Sequence, residues 1–254
     1  MRFKLNIRKE VKAVVAIFAV LSLIAFAERQ HQDVTCSNVV IQIENIEDNH
    51  FVDEDQVMSL ISGTGVSIVG NSINRLNLRA IEAKLETDNH IQDAQLYVDL
   101  SGNLVVNVTL RRAVARLIRT DGSDLYVAED GAIMYTSEKF SSRVLLISGE
   151  FVGQFALAES ILESEQGGAL LEMINFINGE KFWRAQIAQL DIDGRGKIIL
   201  YPQVTGQLVE FGTVDNYEEK LKKLMIFYKE ILPQRGWTKY ARVNVEYEDQ
   251  VIAE

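Results

Sequence analysis

The stretch AQLYVDLSGNLVVNVTL, residues 94–110, decides the fold of the first half of the chain. Apolar residues alternate with polar residues or a tyrosine up to Leu100, and the alternation resumes from Leu104 to Leu110. The turn residues Ser-Gly-Asn separate the two halves at 101–103. Because alternation places one set of side chains on one face of a strand, this stretch predicts a β-hairpin with one buried face.

The residues before the hairpin predict one strand and two helices. The β-branched run at 39–43 is typical of a strand. Asp53, followed three residues later by Gln56, resembles a capping box, and Asn77 can cap a second helix. The predicted order is strand, helix, helix, strand, strand, which indicates a small α+β unit with both helices on one sheet face.

The chain after Arg111 is rich in predicted strands. An amphipathic helix is predicted from Asp215, with Tyr217, Leu224 and Ile231 on its apolar face. The last strand is predicted at 241–247, where ARVNVEY alternates, and a polar tail EDQVIAE follows it. The remaining expected elements are strands at 113–119, 125–128, 133–135, 144–148, 187–192, 197–201 and 208–211, and a buried helix at 170–177.

Near its start the chain carries an uncharged apolar segment, AVVAIFAVLSLIAFA at 13–27, preceded by a basic stretch. Ala-Phe-Ala at 25–27 is typical of the exit of a cleaved signal peptide. A retained transmembrane helix needs about 20 apolar residues, although Lys12 and Arg29 could extend the usable length. Either interpretation leaves the basic end in the cytoplasm and exports the rest of the chain.

The composition excludes several functional classes. The net charge of −10 argues against a nucleic-acid binder, because such affinity depends on lysine and arginine. Cys36 is the only cysteine, which excludes a disulfide framework and a multi-cysteine zinc site. His31, His50 and His90 lack ligand-spaced partners and are predicted to lie on the surface. Recognisable nucleophile, nucleotide and calcium motifs are missing, so the sequence predicts no catalytic, cofactor-binding or metal site and no small-molecule substrate.

Several stretches carry a resemblance to a known family. The basic stub, the apolar segment and the strand-helix-helix-strand-strand unit resemble a membrane-anchored POTRA domain. LVVNVTLRRAVARL at 104–117 and DGSDLYVAEDGAIM at 121–134 are similar to the passage from POTRA to β domain in the bacterial cell-division family FtsQ/DivIB. FGTVDNYEEKLKKLMIFYKEI at 211–231, followed by ARVNVEYEDQV at 241–251, is similar to that family's last helix and strand. The family often has a proline soon after the arginine that opens its β domain, whereas Ala113-Val114 follow Arg112 here.

The resemblance implies a division scaffold without catalysis that binds proteins of the FtsB and FtsL type. It implies that the last strand of the β domain forms an edge that accepts a partner strand, by main-chain hydrogen bonding. The residues that match that edge are Arg242, Val243, Asn244, Val245, Glu246 and Tyr247. The alternation alone equally fits a strand in which Val243, Val245 and Tyr247 only pack the sheet.

The expected fold class is α+β, with a single-pass inner-membrane helix, a POTRA domain and a strand-rich domain ending in an edge strand. The N-terminus is expected in the cytoplasm and the bulk in the periplasm, at the division septum. Two alternatives stay open: a soluble or anchored periplasmic POTRA scaffold outside division, and, with less support, an envelope hydrolase. The expected boundaries are a cytoplasmic stub at 1–12, a transmembrane helix at 13–27, a linker at 28–38, a POTRA domain at 39–110 and a C-terminal domain at 111–254.

Overall fold

A computed structural model describes residues 9–31, 35–45, 49–63, 65 and 68–254. Most of the predicted stub at 1–12 and part of the predicted linker at 28–38 lie outside the described residues. The chain divides into two compact units. The first comprises Met1–Gln42, Glu54–Thr87 and Asp93–Val108, and the second comprises Ile43–Asp53, Asp88–Gln92 and Thr109–Glu254.

The first helix, α1 (Lys9–His31), includes the apolar segment at 13–27. The apolar side chains described between Val14 and Ile24 are exposed, among them Phe18 at 72% and Leu23 at 68%. Within the described ranges, the structure contains no helix with both the length and the apolarity needed to cross a bilayer. The transmembrane helix predicted at 13–27 is therefore not confirmed.

A three-stranded sheet follows, and it confirms the predicted order of elements. Strand β1 (Val39–Glu44) precedes α2 (Glu54–Ser62), a short 3₁₀ turn (Ile73–Arg75) and α3 (Leu78–Leu85), and the hairpin of β2 (Ile91–Val98) and β3 (Leu104–Leu110) comes next. The sheet order is β1-β3-β2. As predicted, the Asn77 side chain caps α3, because its Oδ1 accepts a hydrogen bond of 3.2 Å from the Ala80 amide.

The hairpin turn is wider than the alternation predicts. The Asp99 carboxylate accepts hydrogen bonds of 2.8 Å from the amides of Ser101 and Asn103, which ends β2 at Val98. Leu100 is consequently fully exposed instead of lying on the buried face. Val106 of β3 is fully buried, and so are Val57 of α2 and Ile81 of α3, which belong to the core of the first unit.

The second unit contains a nine-stranded mixed sheet. Its strands are β4 (Ala113–Leu117), β5 (Leu125–Ala128), β6 (Ile133–Tyr135), β7 (Leu145–Ser148), β8 (Ile187–Ile192), β9 (Ile198–Pro202), β10 (Leu208–Gly212), β11 (Arg242–Asn244) and β12 (Ile252–Ala253). The order is β12-β11-β10-β9-β8-β7-β4-β5-β6. The pairs β4–β7, β7–β8 and β10–β11 are parallel, so each needs a crossover connection.

Helices supply two of these crossovers and cover one face of the sheet. Helices α4 (Gly167–Gly179) and α5 (Lys181–Gln186) connect β7 to β8, and α6 (Tyr217–Ile226) and α7 (Leu232–Arg235) connect β10 to β11. Their apolar side chains pack against alternate strand residues in one continuous core. Alternation along β7 to β11 thus separates a buried face from a partly exposed, more polar one.

The helix predicted from Asp215 changes its register partway. Phe227–Ile231 forms a wider π turn between α6 and α7. Pro233, lacking an N–H, cannot donate the i→i−4 hydrogen bond there. Because a π turn inserts an extra residue, the apolar face passes from Ile231, which is 38% exposed, to Leu232, which is fully buried. The predicted contact of Ile231 with the core is therefore wrong by one position.

Candidate partner-binding edge

The predicted partner-binding residues 242–247 follow one strand and then leave the sheet. Strand β11 pairs in parallel with β10, with Arg242 opposite Leu208 and Asn244 opposite Glu210. The Val245 amide extends this pairing by donating to the Glu210 carbonyl at 3.0 Å. Only the first part of the segment thus forms the predicted strand.

The side chains of this segment divide between the core and the surface. Val243 and Val245 are fully buried in the core of the second unit. Tyr247 is 51% exposed, so it does not share their environment as the alternation predicted. On the other face of the sheet, the Glu210 carboxylate accepts from Arg242 Nη1 at 2.9 Å and from Asn244 Nδ2 at 2.8 Å. Glu210 therefore neutralises the one arginine of the predicted edge.

The strand at Arg242–Asn244 is not the edge of the sheet, which corrects the sequence-based expectation. Strand β12 lies outside it, with Val243 opposite Ala253 and Asn244 opposite Ile252. The Arg242 amide donates to the Glu254 carbonyl at 3.0 Å, and the Glu254 amide returns a bond of 3.1 Å to the Arg242 carbonyl. Asp249, with φ of 56°, lies in the turn that brings the tail back. The expectation overlooked the apolar run Val-Ile-Ala at 251–253 in a tail that it treated as polar.

The outer side of β12 is the open edge. Among the described residues no further strand pairs with it. Backbone groups of successive strand residues point to opposite sides, and Glu254 bonds to β11. The N–H and C=O of Ala253 therefore face away from β11. Exposed apolar surface lies near this edge, since Ile252 is 47% exposed and Tyr247 follows the neighbouring strand.

The opposite edge of the sheet, at β6, is covered within the second unit. The Ile133 amide donates to the Glu159 carbonyl at 2.9 Å, and Ala132 forms an isolated bridge with Ser160. His90 Nε2 lies 2.9 Å from the Tyr135 carbonyl oxygen. Proteins commonly protect sheet edges in this way, because unpaired edges recruit other strands. The outer side of β12, by contrast, has no such cover among the described residues.

Lysine side chains hold the chain between β11 and β12 in place. Lys223 Nζ, on α6, donates to the Val245 carbonyl at 2.8 Å and also to the Tyr247 carbonyl. Lys197 Nζ lies 3.0 Å from Glu246 Oε1. The hydrogen bond and the charge of Glu246 raise the pKa of Lys197 above its usual range. The sequence alone pointed to neither contact, because each joins distant parts of the chain.

Close to this segment Lys220 occupies an unusual environment for a lysine. It is buried, its Nζ donates to the Thr213 carbonyl at 2.8 Å, and it lies over the Phe211 ring at 5.2 Å. Burial lowers the pKa of Lys220. The bond to the Thr213 carbonyl places it under the turn that follows β10, where it supports the end of the strand.

Gly212 is required at the end of β10. Its φ is +75°, and the pairing of β10 with β9 shifts register between Glu210 and Gly212. A Cβ at this position would lie 2.6 Å from Glu246 Cγ. A side chain here would therefore combine backbone strain with displacement of the segment that leads to the open edge.

The comparisons with known proteins match two consecutive parts of the chain. A POTRA-like domain model matches residues 34–109. The model described as FtsQ/DivIB, C-terminal related, matches residues 112–254, more than half of the chain. The chain belongs to the FtsQ/DivIB family. A search of curated proteins found no match to the chain.

Membership of the FtsQ/DivIB family makes the chain a division-associated protein of a scaffold family without catalysis. Among the described residues, His, Cys, Asp and Glu form no group of three that could hold a metal ion. The feature of this FtsQ/DivIB chain with the clearest binding geometry is the open edge at β12.

Proposed function

We propose that the chain is a non-catalytic scaffold of the bacterial division machinery. It recruits small coiled-coil division proteins of the FtsB and FtsL type to the septum by β-strand addition. One observation carries the proposal: the outer side of β12 is an open edge with exposed apolar side chains, in a sheet whose other edge is covered.

Strand addition needs outward backbone groups and side-chain pockets. Ala253 supplies an outward N–H and C=O next to the exposed side chain of Ile252. Tyr247 offers a half-exposed ring with both apolar surface and a hydroxyl. A bound partner segment would extend the sheet by one strand. Its main-chain hydrogen bonds would supply affinity, and contacts with these side chains would supply specificity.

Within 242–247 the proposed roles differ from residue to residue. Arg242, Val243, Asn244 and Val245 have their backbone or side chains committed inside the sheet, so they would support the edge without touching a partner. Glu246 and Tyr247, which leave the strand, would make direct contacts. A proline at Val245 would remove its 3.0 Å bond to Glu210 and damage the sheet itself, so the edge is better tested at Ala253.

We also propose that the segment at 13–27 anchors the chain in the inner membrane, with a short cytoplasmic N-terminus. The supporting observations are the uncharged run, the basic residues before it and the exposed apolar side chains along α1. In this proposal residues 39–110 form a POTRA domain that takes part in recruitment, and 111–254 present the partner edge.

Imaging of a fluorescent protein fused to Met1 in growing cells tests this function. A ring at midcell is the expected result, because the proposal places an intact, anchored chain at the septum. A uniform envelope signal would contradict the septal role. A diffuse signal from a clipped tag would contradict the anchor and favour a soluble periplasmic POTRA scaffold.

A further inference from the structure

A groove of about 670 Å³ lies within the second unit, on the side of the sheet where β4 and β7 begin. The start of β4, the loop at 140–144, the end of α4 and one residue of α5 line it. It is separate from the open edge, because β8, β9 and β10 lie between β7 and β11 in the sheet.

The groove exists because two parallel strands diverge. Pairing between β4 and β7 begins only at Ala115 opposite Leu145. Before that point the Val114 carbonyl accepts a 2.9 Å bond from Asn178 Nδ2 of α4 instead of a strand amide. The loop beside the gap is held in place, because the Ser142 amide donates to the Tyr126 hydroxyl at 3.2 Å. The opening is therefore built from fixed elements.

Three arginines line this groove: Arg112, Arg143 and Arg184. All three are exposed, and among the described residues none forms a salt bridge or a side-chain hydrogen bond. Nearby arginines behave differently, since Arg111 and Arg116 pair with carboxylates at 3.0 and 2.8 Å. Glu129 is the one acidic residue among the described lining residues, so the groove is locally positive in a chain whose net charge is −10.

Unpaired guanidinium groups select carboxylates. Each offers a planar fork of donors that fits a carboxylate in two parallel bonds, and it is weakly hydrated compared with an ammonium. The rest of the lining suits a peptide, because Asn175 presents an amide group whose Nδ2 already donates to the Glu129 carbonyl and Phe140 adds apolar surface. A lone inorganic anion would leave most of this lining unused.

We infer that the groove binds an acidic segment of a protein partner, with Arg112, Arg143 and Arg184 receiving its carboxylates. Clusters of arginines recognise acidic motifs in this manner. Charge complementarity and the built walls of the groove support this inference. The inference does not depend on the proposed strand addition at β12, so either proposal can fail without affecting the other.

The test uses the full chain and a fluorescent peptide of alternating glutamate and alanine, with binding measured by fluorescence anisotropy at low ionic strength. The variant Arg112→Ala, Arg143→Ala, Arg184→Ala removes the groove charges. The matched variant Arg75→Ala, Arg79→Ala, Arg235→Ala removes three exposed arginines elsewhere. A peptide with glutamine in place of glutamate, inorganic phosphate and anionic phospholipid vesicles serve as further probes.

The inference expects saturable binding of the glutamate peptide, at least about tenfold weaker in the groove variant and unchanged in the matched variant. It also expects no comparable binding of the glutamine peptide. Absence of binding, or equal weakening in both variants, would overturn it. Displacement of the peptide by phosphate would assign the groove to small anions. Arginine-dependent vesicle binding would assign it to a membrane surface. Either result would also overturn the inference.

Discussion

The carboxylate of Asp88 holds the imidazole of His90, with Oδ1 lying 2.9 Å from Nδ1 and also accepting the His90 amide at 3.0 Å. The other ring nitrogen, Nε2, lies 2.9 Å from the Tyr135 carbonyl on β6, and the ring stacks on buried Phe51 at 5.0 Å. His90 is therefore a structural residue at the covered edge of the sheet, and its predicted surface role is wrong.

Replacing His90 should destabilise the second unit. His90→Ala removes the imidazole from the Tyr135 carbonyl and from the Asp88 carboxylate, which keeps its bond from the main-chain amide of residue 90, at a cost of about 1–3 kcal/mol in the free energy of unfolding. Urea denaturation measures this change. His50→Ala is the matched control and should cost less, because His50 is exposed and its ring packs edge to face with Phe140 at 5.4 Å. Equal losses in the two variants would contradict the assigned role.

The ionisation of Asp88 should make the free energy of unfolding depend on pH in the acidic range. Burial opposes its ionisation, but the hydrogen bonds and charge of His90 outweigh this and lower the pKa of Asp88 below its ordinary value of 3.8. Ionised Asp88 thus stabilises the fold above pH 3.8, and the contribution is lost as the pH falls through the lowered pKa. Asp88→Asn should be less stable than the wild type near neutral pH and should approach it in acid. A difference that stays constant with pH would refute this linkage.

Lys223 should control the order of the segment before β12. Lys223→Ala removes the donor to the Val245 and Tyr247 carbonyls, so amide hydrogen exchange around 246–250 should accelerate by about fivefold or more. The neighbouring Lys222 is exposed, and Lys222→Ala is the matched control that should leave exchange unchanged. If the two variants exchange alike, the carbonyl contacts do not hold the segment.

Two adjacent glycines at the start of α4 should respond oppositely to alanine. A Cβ at Gly167 would lie 1.7 Å from the Ile161 carbonyl oxygen, whereas a Cβ at Gly168 meets nothing within 4 Å. Gly167→Ala should therefore cost about 2 kcal/mol or more in the free energy of unfolding, through steric displacement. Gly168→Ala should stabilise by up to about 1 kcal/mol through helix propensity. Thermal or urea unfolding distinguishes them, and a stable Gly167→Ala variant would contradict the close approach.

Local patterns predicted most of the elements, because alternation and helical spacing record which face is buried. The strands at Leu125–Ala128, Ile133–Tyr135 and Ile187–Ile192 lie where the pattern placed them. The register change at Ile231 could not be predicted, because a π turn depends on packing and leaves little trace in spacing. The pairing of His90 with Tyr135, 45 positions along the chain, is likewise a tertiary contact that no local motif announces.

The predicted edge was one strand away from the observed edge for a similar reason. Strand β12 has two residues, too few to show an alternating pattern, and the apolar run at 251–253 lies among polar neighbours. The resemblance to FtsQ/DivIB pointed to the correct end of the sheet, and the hydrogen bonds between Arg242 and Glu254 identify which strand is outermost. The roles of Tyr247 and of the other residues at 242–247 in partner binding stay a prediction.

Binding of an FtsB-type partner to the full chain and to its Ala253→Pro variant tests strand addition most directly. The proline removes the outward N–H of β12, whereas Ala253→Gly keeps it and serves as the matched control. We expect the proline variant to bind at least about tenfold more weakly, with its circular dichroism spectrum unchanged, and the glycine variant to bind like the wild type. A folded proline variant that binds with wild-type affinity would show that β12 does not accept a partner strand.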